Sequence, residues 1–212
     1  MESMIIEFDK ESPESFYKIL IGSILPRPIA WVSTINREGV PNLAPFSFFT
    51  VASSNPPVLC FAPALKLEVF EGTKKGKPKD TLKNIQDTGE FVVNIVSRAV
   101  AEKMNQSSGS YPPGTSEFEK SGLTPAPSTH IAPPRVAESL INFECKLHQV
   151  ISFGEHPGAG NLVLGRIQCA HLHDSVYKNG RIDIQELQPI GRLAGMEYCE
   201  VKERFVMVRP QV

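Results

Sequence analysis

The sequence predicts a mainly β fold, a barrel of antiparallel strands with a few short helices. Runs rich in β-branched and aromatic residues, bounded by Gly, Pro or Asn, recur at 28–35, 40–51, 58–62, 91–97, 136–153 and 161–174. Few segments between them have helical periodicity. Closing a mostly antiparallel sheet into a barrel removes its exposed edges, so the pattern favours a barrel.

The totals indicate one domain over residues 1–212. A chain of 212 residues can bury a sizeable core, and its net charge of -1 gives no general attraction to nucleic acid or anionic membranes. No apolar run approaches the length of a membrane span, and the N-terminus lacks the features of a signal peptide. The expected location is therefore cytoplasmic. The scattered cysteines are expected to be buried thiols: Cys60, Cys145, Cys169 and Cys199.

Three short helices are predicted among the strands. Ser12-Pro-Glu14 is typical of a helix start, with the helix ending near Gly22. The segment 80–89 has an acidic cap at Asp80, apolar residues three apart and a glycine stop. A third helix is predicted over 98–105.

The segment 28–51 predicts two strands joined by a tight turn at 36–39. Pro45 interrupts the second strand and removes a donor from its ladder. This strand must therefore be an edge, a bulge, or a place where a ligand approaches the backbone. A flat heteroaromatic ligand is one candidate.

The basic run Lys74-Lys-Gly-Lys-Pro-Lys79 has two interpretations. It is either a solvated loop or part of a phosphate site, since it leads into a helix start with free N–H groups. Lys79 and the Thr81 hydroxyl would suit a phosphate monoester. Asp80 is unfavourable beside an anion, so it is expected to cap the helix or bind a sugar-like hydroxyl.

The familiar catalytic and nucleotide signatures are absent from the sequence, and no catalytic side chain is predicted. Residues 154–160 are interpreted as a hairpin loop. Cys169, His171 and His173 share one face of a strand, which can hold a metal, but no fourth ligand is evident and no metal is predicted.

Residues 106–135 form a long polar, proline-rich segment. A loop of this length within a compact chain is usually functional or packed by its own side chains. Tyr111 and His130 are candidates to cover a ligand bound near the strands.

Three landmarks stand in one order along the chain: Arg27-Pro-Ile-Ala-Trp-Val-Ser-Thr34, Asn42-Leu-Ala-Pro-Phe-Ser-Phe-Phe49, and Lys79-Asp-Thr-Leu-Lys-Asn84 followed by Gly89-Glu-Phe-Val-Val-Asn94. Together they resemble the flavin reductase-like family of FMN-binding split barrels, which includes the flavoredoxins. The similarity continues through Glu117-Phe118, Pro133-Pro-Arg135, Glu144-Cys145 and Pro189-Ile-Gly-Arg192.

The resemblance implies a six-stranded Greek-key split barrel, a homodimer, with FMN held near the subunit interface. Ser33 and Thr34 would lie by the phosphate or the ribityl chain, and 42–48 would run along the isoalloxazine ring. Lys79, Thr81 and Asn84 would help to hold the phosphate. The implied cofactor-binding residues are Ser33, Thr34, Asn42, Leu43, Ala44, Pro45, Ser47, Phe48, Lys79, Asp80, Thr81 and Asn84.

The leading hypothesis is an FMN-binding oxidoreductase of the flavin reductase type. It would transfer electrons from NAD(P)H through FMN to free flavin or a partner acceptor. Hydride transfer to a flavin needs stacking and exclusion of water more than a side-chain base. The alternatives are an FMN-binding electron carrier without NAD(P)H activity, and a barrel that binds no flavin and serves as an interaction module.

Overall fold

The computed structural model describes residues 3–70, 73–112 and 114–211. Seven antiparallel strands form the main sheet: β1 (Ala30–Ile35), β2 (Pro41–Phe46), β3 (Phe49–Ser54), β4 (Pro57–Phe61), β5 (Glu90–Ile95), β6 (Ile141–Ser152) and β7 (Asn161–Leu172). Their order across the sheet is β2-β1-β5-β6-β7-β4-β3. Since the two edges, β2 and β3, are consecutive in the chain, the sheet curves into a barrel that stays open between them.

The mainly β fold class is confirmed, with one more strand than the six expected. The predicted run 40–51 is two strands, because the chain breaks at Ser47-Phe48 before it pairs again with β4. β6 and β7 are the longest strands, and two irregularities in their register bend them around the barrel.

Four two-stranded ribbons accompany the sheet: Lys66–Phe70 with Thr73–Lys77, Pro125–Ala126 with Arg135–Val136, Tyr177–Lys178 with Arg181–Ile182, and Ile190–Arg192 with Tyr198–Glu200. The basic run that begins at Lys74 is therefore mostly strand, and its interpretation as a loop is wrong. Lys77 pairs there with Glu68 at 2.6 Å. The segment 154–160 is the predicted connection between β6 and β7.

The helices are α1 (Pro13–Ser23), α2 (Asp80–Thr88), α3 (Ala101–Ser107), α4 (Glu117–Lys120) and α5 (Ile184–Leu187), with 3-10 turns at Phe8–Lys10 and Arg98–Val100. The predicted start of α1 is confirmed, since Ser12 Oγ accepts the N–H of Ser15. Gly89 ends α2 in a left-handed conformation, as its sequence indicates. Within the described ranges, no helix is long and apolar enough to cross a membrane.

Three apolar clusters form the core of the described residues, and the smallest joins Ile141, Val176 and Leu187. The first fills the barrel, where Phe61 packs between Phe46 and Phe91. The second lies on the other side of β1, where Trp31 packs with α3 and α4 through Met104 and Phe118. Because β1 is covered on both faces, all of its residues but the last are buried.

Candidate functional site

The outer side of the edge strand β2 is the floor of the candidate site. In an antiparallel edge strand, alternate residues point their backbone polar groups away from the neighbouring strand. Leu43 N–H is one of these, since it donates to Glu117 Oε2 at 2.9 Å. Pro45, paired with Trp31, is the next outward residue and brings a carbonyl without a donor. The predicted edge position of Pro45 is thus confirmed, and it leaves backbone acceptors open to a ligand.

A central cavity of about 380 Å³ lies over this floor. Ala44, Pro45 and Phe46 line one side of it. Lys79 and the loop 107–111 line the other. The cavity therefore lies between the proline-interrupted strand and the start of α2. These two segments are far apart in the sequence.

Two further cavities adjoin the central one, so that a trough runs along β2. The arginine cavity, about 320 Å³, shares Pro45, Phe46 and Lys79 with the central cavity and extends to Arg27 and Arg192. At the opposite end, the turn cavity, about 200 Å³, reaches the β1–β2 turn at 36–38.

A buried polar network lies beside the trough and ties α2 to β1 and β2. Asn84 Nδ2 donates to Thr34 Oγ1 at 3.0 Å, and Thr81 Oγ1 donates to Asn42 Oδ1 at 2.8 Å. Asn42 Nδ2 in turn donates to Glu117 Oε1 at 2.9 Å. Thr34, Thr81 and Asn84 are buried and their polar groups are engaged in this network, but Thr81 also lines the central cavity and Asn84 the turn cavity. They orient the site from beneath.

Ser33 and Leu43 are not among the residues that line the trough. Ser33 is fully buried; its Oγ donates to Pro134 O at 2.5 Å and accepts from Asn94 Nδ2. Leu43 is fully buried in the second apolar cluster. Of the two, only the backbone of Leu43 has a polar group on the outer side of β2.

Lys79 is the predicted site residue that lines both the central and the arginine cavity with a cationic side chain. It is the residue before the first turn of α2, and its Nζ lies 5.5 Å from the centroid of the Phe46 ring. Burial, and then the nearby Lys66, lower the pKa of Lys79. Burial makes the charged form of Lys79 unfavourable, and an anionic ligand bound beside it would offset this cost.

Asp80 is the first residue of α2 and not its cap, so the predicted capping role is wrong. Its carboxylate lies 3.6 Å from Lys66 Nζ and is well exposed. The side chain lines both the central and the turn cavity. The other expectation, contact with a sugar-like hydroxyl, stays a prediction.

The break between β2 and β3 separates two environments. Phe46 is buried in the barrel, and Ser47 lines the arginine cavity. Phe48 is 43% exposed. Ser47, at the trough, and Phe48, at the surface, are thus adjacent in the sequence but lie in different environments.

The segment 106–135 is held by its own contacts and by the sheet. Tyr111 Oη donates to Gln106 O at 2.9 Å, and the ring lines the central and turn cavities. His130 lies elsewhere, with its N–H bonded to Glu144 Oε2 at 2.7 Å. The structure therefore brings Tyr111 to the trough, while His130 is not among the residues that line its cavities.

Glu117 is the main site residue to which sequence reasoning gave no role. It is buried, and burial raises the pKa of its carboxyl against the hydrogen bonds from Leu43 and Asn42. A buried carboxylate that accepts a backbone N–H takes the place of a neighbouring strand at this edge. Its resemblance motif, Glu117-Phe118, was the available signal, but nothing local relates it to β2.

Arg27 and Arg192 were also quoted only as parts of the resemblance. The structure places both at the arginine cavity.

Cys169 and His171 lie close together as predicted, but the third residue beside them is Glu144 and not His173. His171 Nε2 lies 2.6 Å from Glu144 Oε1 and 3.7 Å from Cys169 Sγ. His173 instead lies beside Ser175. Glu144 is fully buried and also accepts the N–H groups of 129 and 130, so the cluster pins the long segment to the sheet.

The family profile described as "Flavin reductase like domain" matches residues 21–186. An uncharacterized protein of Bacillus subtilis is 38% identical over 210 residues, which are 97% of this chain and 98% of that protein. A second, from Halalkalibacterium halodurans, is 41% identical over 206 residues, covering 96% and 95% of the two chains.

Solved structures agree with these matches. Nitrilotriacetate monooxygenase component B from Bacillus cereus aligns with a TM-score of 0.89 at 36% identity, covering 98% of this chain and 100% of that one. Pseudomonas fluorescens 2-nitrobenzoate 2-nitroreductase aligns at 0.85 with 32% identity, covering 98% and 96%. A structure from Shewanella frigidimarina described with a split barrel domain aligns at 0.79 over 98% and 100%; at 22% identity it supports the fold alone.

Proposed function

This chain belongs to the flavin reductase-like family, and on that premise we propose that it is an FMN-binding oxidoreductase of the flavin reductase type. It takes electrons from NADH or NADPH and passes them through FMN to free flavin or a partner electron acceptor.

The observation that carries this proposal is the trough over the outer side of β2. The isoalloxazine ring has one N–H donor at N3 and several acceptors, so it suits a floor of unpaired backbone groups better than a set of charged side chains. Pro45 presents a carbonyl there and no competing donor. The Pro45 carbonyl would accept the N3–H of the ring. The acceptors of the ring would take hydrogen bonds from Ser47 and Lys79, because the N–H of Leu43 already donates to Glu117.

The residues of the chain bind and orient this group. Ala44, Pro45 and Ser47 would contact the ring, and the charge of Lys79 would favour an anionic flavin nucleotide. Asn42 and Asp80 line the central cavity and would meet polar groups of the nucleotide there. The buried Ser33, Thr34, Leu43, Thr81 and Asn84 are proposed to support this floor from within.

When bound, FMN supplies the redox chemistry, since its ring accepts hydride from a nicotinamide and releases electrons to an acceptor. The chain contributes stacking, orientation and exclusion of water. The loop 107–111, with Tyr111 at its end, stands over the central cavity and would limit water there.

We also propose a homodimer, built on the outer face of the sheet. The strand registers, continued by one residue beyond β3 and β4, place Phe48, Ala62, Leu162 and Ile151 in one row that ends on β7 and β6. Phe48 is 43% exposed and Ile151 38%. An apolar row of this kind on a surface marks an interaction site. Because Phe48 follows Ser47 directly, FMN would lie near this interface.

The proposed compartment is the cytoplasm, where reducing conditions suit the four free cysteines.

The spectrum of the purified protein tests the proposal. Bound FMN gives a yellow protein, and anaerobic mixing with NADH or NADPH is expected to bleach the flavin band within seconds to minutes. A yellow protein whose spectrum does not change would indicate an electron carrier that another protein reduces. A colourless protein that takes up no added FMN would refute both.

A further inference from the structure

The arginine cavity holds positive charge that the described part of the chain does not balance. Arg27, Lys79 and Arg192 all line it, and no Asp or Glu is among the described residues that do. None of these three cations is among the ion pairs of the described residues.

The two arginines are fixed directly opposite each other. Arg27 N–H donates to Arg192 O at 3.0 Å, and Arg192 N–H donates to Arg27 O at 2.8 Å. Residues that exchange both hydrogen bonds in an antiparallel bridge place their side chains on the same side. Like charges directly opposite are destabilising, so this arrangement needs a reason.

The relative exposure of Arg27 is 6%, so it is 94% buried, and its side-chain hydrogen-bond partners among the described residues are all carbonyls. Its guanidinium donates to Ile21 O at 2.7 Å, Ile24 O at 2.9 Å and Leu193 O at 2.8 Å. Its Nε is buried and has no hydrogen-bond partner in the part of the chain that the structure describes. Burial is the main cause of a lowered pKa of Arg27, and the charge of Arg192 adds to it.

Arg192 is held in place from a different side. It donates to Gly195 O and stacks on the ring of Tyr198, with its guanidinium carbon 4.4 Å from the centroid. Stacking fixes the plane of the guanidinium and leaves its other donors available. A planar, fixed guanidinium is the group that binds phosphate in a bidentate manner.

We propose that Arg27, Lys79 and Arg192 form an anion subsite that takes the phosphate of a nucleotide bound in the trough. The ligand class rests on the proposed function, since the phosphate belongs either to the flavin nucleotide or to the nicotinamide dinucleotide. The excess of positive charge in the cavity is the same whichever nucleotide supplies the phosphate.

The test compares Arg192→Gln with a matched control, Arg98→Gln. Arg98 lies outside the trough and is already paired with Glu102 at 2.6 Å. Calorimetry would measure the affinities for FMN, riboflavin, NADP⁺ and NAD⁺, and thermal melting would measure stabilisation by inorganic phosphate. A lost charged hydrogen bond weakens binding by about tenfold or more. Arg192→Lys, which keeps the charge without the fork, is expected to fall between wild type and Arg192→Gln.

Two results would support the subsite and would identify the source of the phosphate. Weaker FMN binding with unchanged riboflavin binding assigns the subsite to the flavin phosphate. Weaker dinucleotide binding with unchanged flavin binding assigns it to the electron donor.

The subsite is wrong if Arg192→Gln changes none of these affinities, or if Arg98→Gln changes them equally. If the protein binds no flavin but phosphate stabilises the wild type and not Arg192→Gln, the proposed function fails and the subsite stands.

Discussion

The backbone N–H of Leu43 donates to the buried carboxylate of Glu117, 74 positions away in sequence. An edge strand normally leaves such donors to water or to another chain. Here the long segment after α3 satisfies the donor from a side chain, and the same carboxylate orients Asn42. The floor of the candidate site is thus set by a residue outside the sheet.

Replacing Glu117 with Gln is expected to lower the free energy of unfolding by about 1–2 kcal/mol. A carboxylate accepts from both Leu43 and Asn42, whereas an amide presents one donor to one of these two donors. Urea denaturation measures the change. Glu119→Gln, an exposed change in the same helix, is the control and should cost little. Equal stability of the two variants would show that the bonds to β2 contribute nothing.

Removing Lys79 is expected to weaken FMN binding without loss of stability. Lys79→Ala deletes a cation at the central cavity, and a charged hydrogen bond contributes about 1–3 kcal/mol to binding. Because burial already penalises this charge, the melting temperature should not fall. Fluorescence titration with FMN measures the affinity, with the exposed Lys74→Ala as the control. Unchanged affinity in Lys79→Ala would remove Lys79 from the site.

Glu144 is expected to make stability depend on pH. Burial opposes its ionisation, but hydrogen bonds from Thr129, His171 and His130 outweigh burial and lower the pKa of the carboxyl. Its contribution is therefore present above the ordinary pKa of 4.5 and is lost as the pH falls through the lowered value.

Glu144→Gln tests this dependence. The variant should be less stable than wild type at pH 7, by about 1–3 kcal/mol, and the difference should shrink below pH 4.5. Denaturation at a series of pH values measures it, and the exposed Glu155→Gln serves as the reference. A difference that is constant with pH would mean that ionised Glu144 is not the stabilising form.

The outer apolar row predicts a dimer that one charge can disrupt. Ile151→Glu is expected to shift the protein to monomer, since it places an unpaired carboxylate in a buried interface. Light scattering after size exclusion measures the mass. Lys146→Glu, an exposed change on the same strand, keeps the dimer if the row is the interface. A dimeric Ile151→Glu variant would place the interface elsewhere.

The strands and the helices could be predicted from local patterns in the sequence. Pro45 marked an edge strand because a missing donor has the same consequence in any sheet, and Ser12 and Gly89 marked helix ends by local geometry. The Ser47-Phe48 break carried no such signal: both residues suit a strand, and only pairing with β4 divides the run.

The candidate site was harder to predict, because its contacts join distant segments. Thr81 was predicted as a phosphate ligand from its place at a helix start, and Asn84 from the resemblance. Both line the trough and also bond to residues of β1 and β2, so their role at the phosphate stays a prediction. Glu117 and Arg192 read as ordinary charged residues. Their roles in the site depend on contacts with Leu43 and Arg27, and no local sequence pattern indicates these contacts.

The short link between β2 and β3 connects the proposed nucleotide site with the proposed dimer interface. Ser47 faces the trough and Phe48 the apolar row, so the proposed nucleotide site and the proposed interface are one residue apart. Thermodynamic linkage is reciprocal: if nucleotide tightens subunit pairing, dilution to monomer must loosen nucleotide by the same factor. Loss of colour on dilution would then report self-association rather than a weak flavin site.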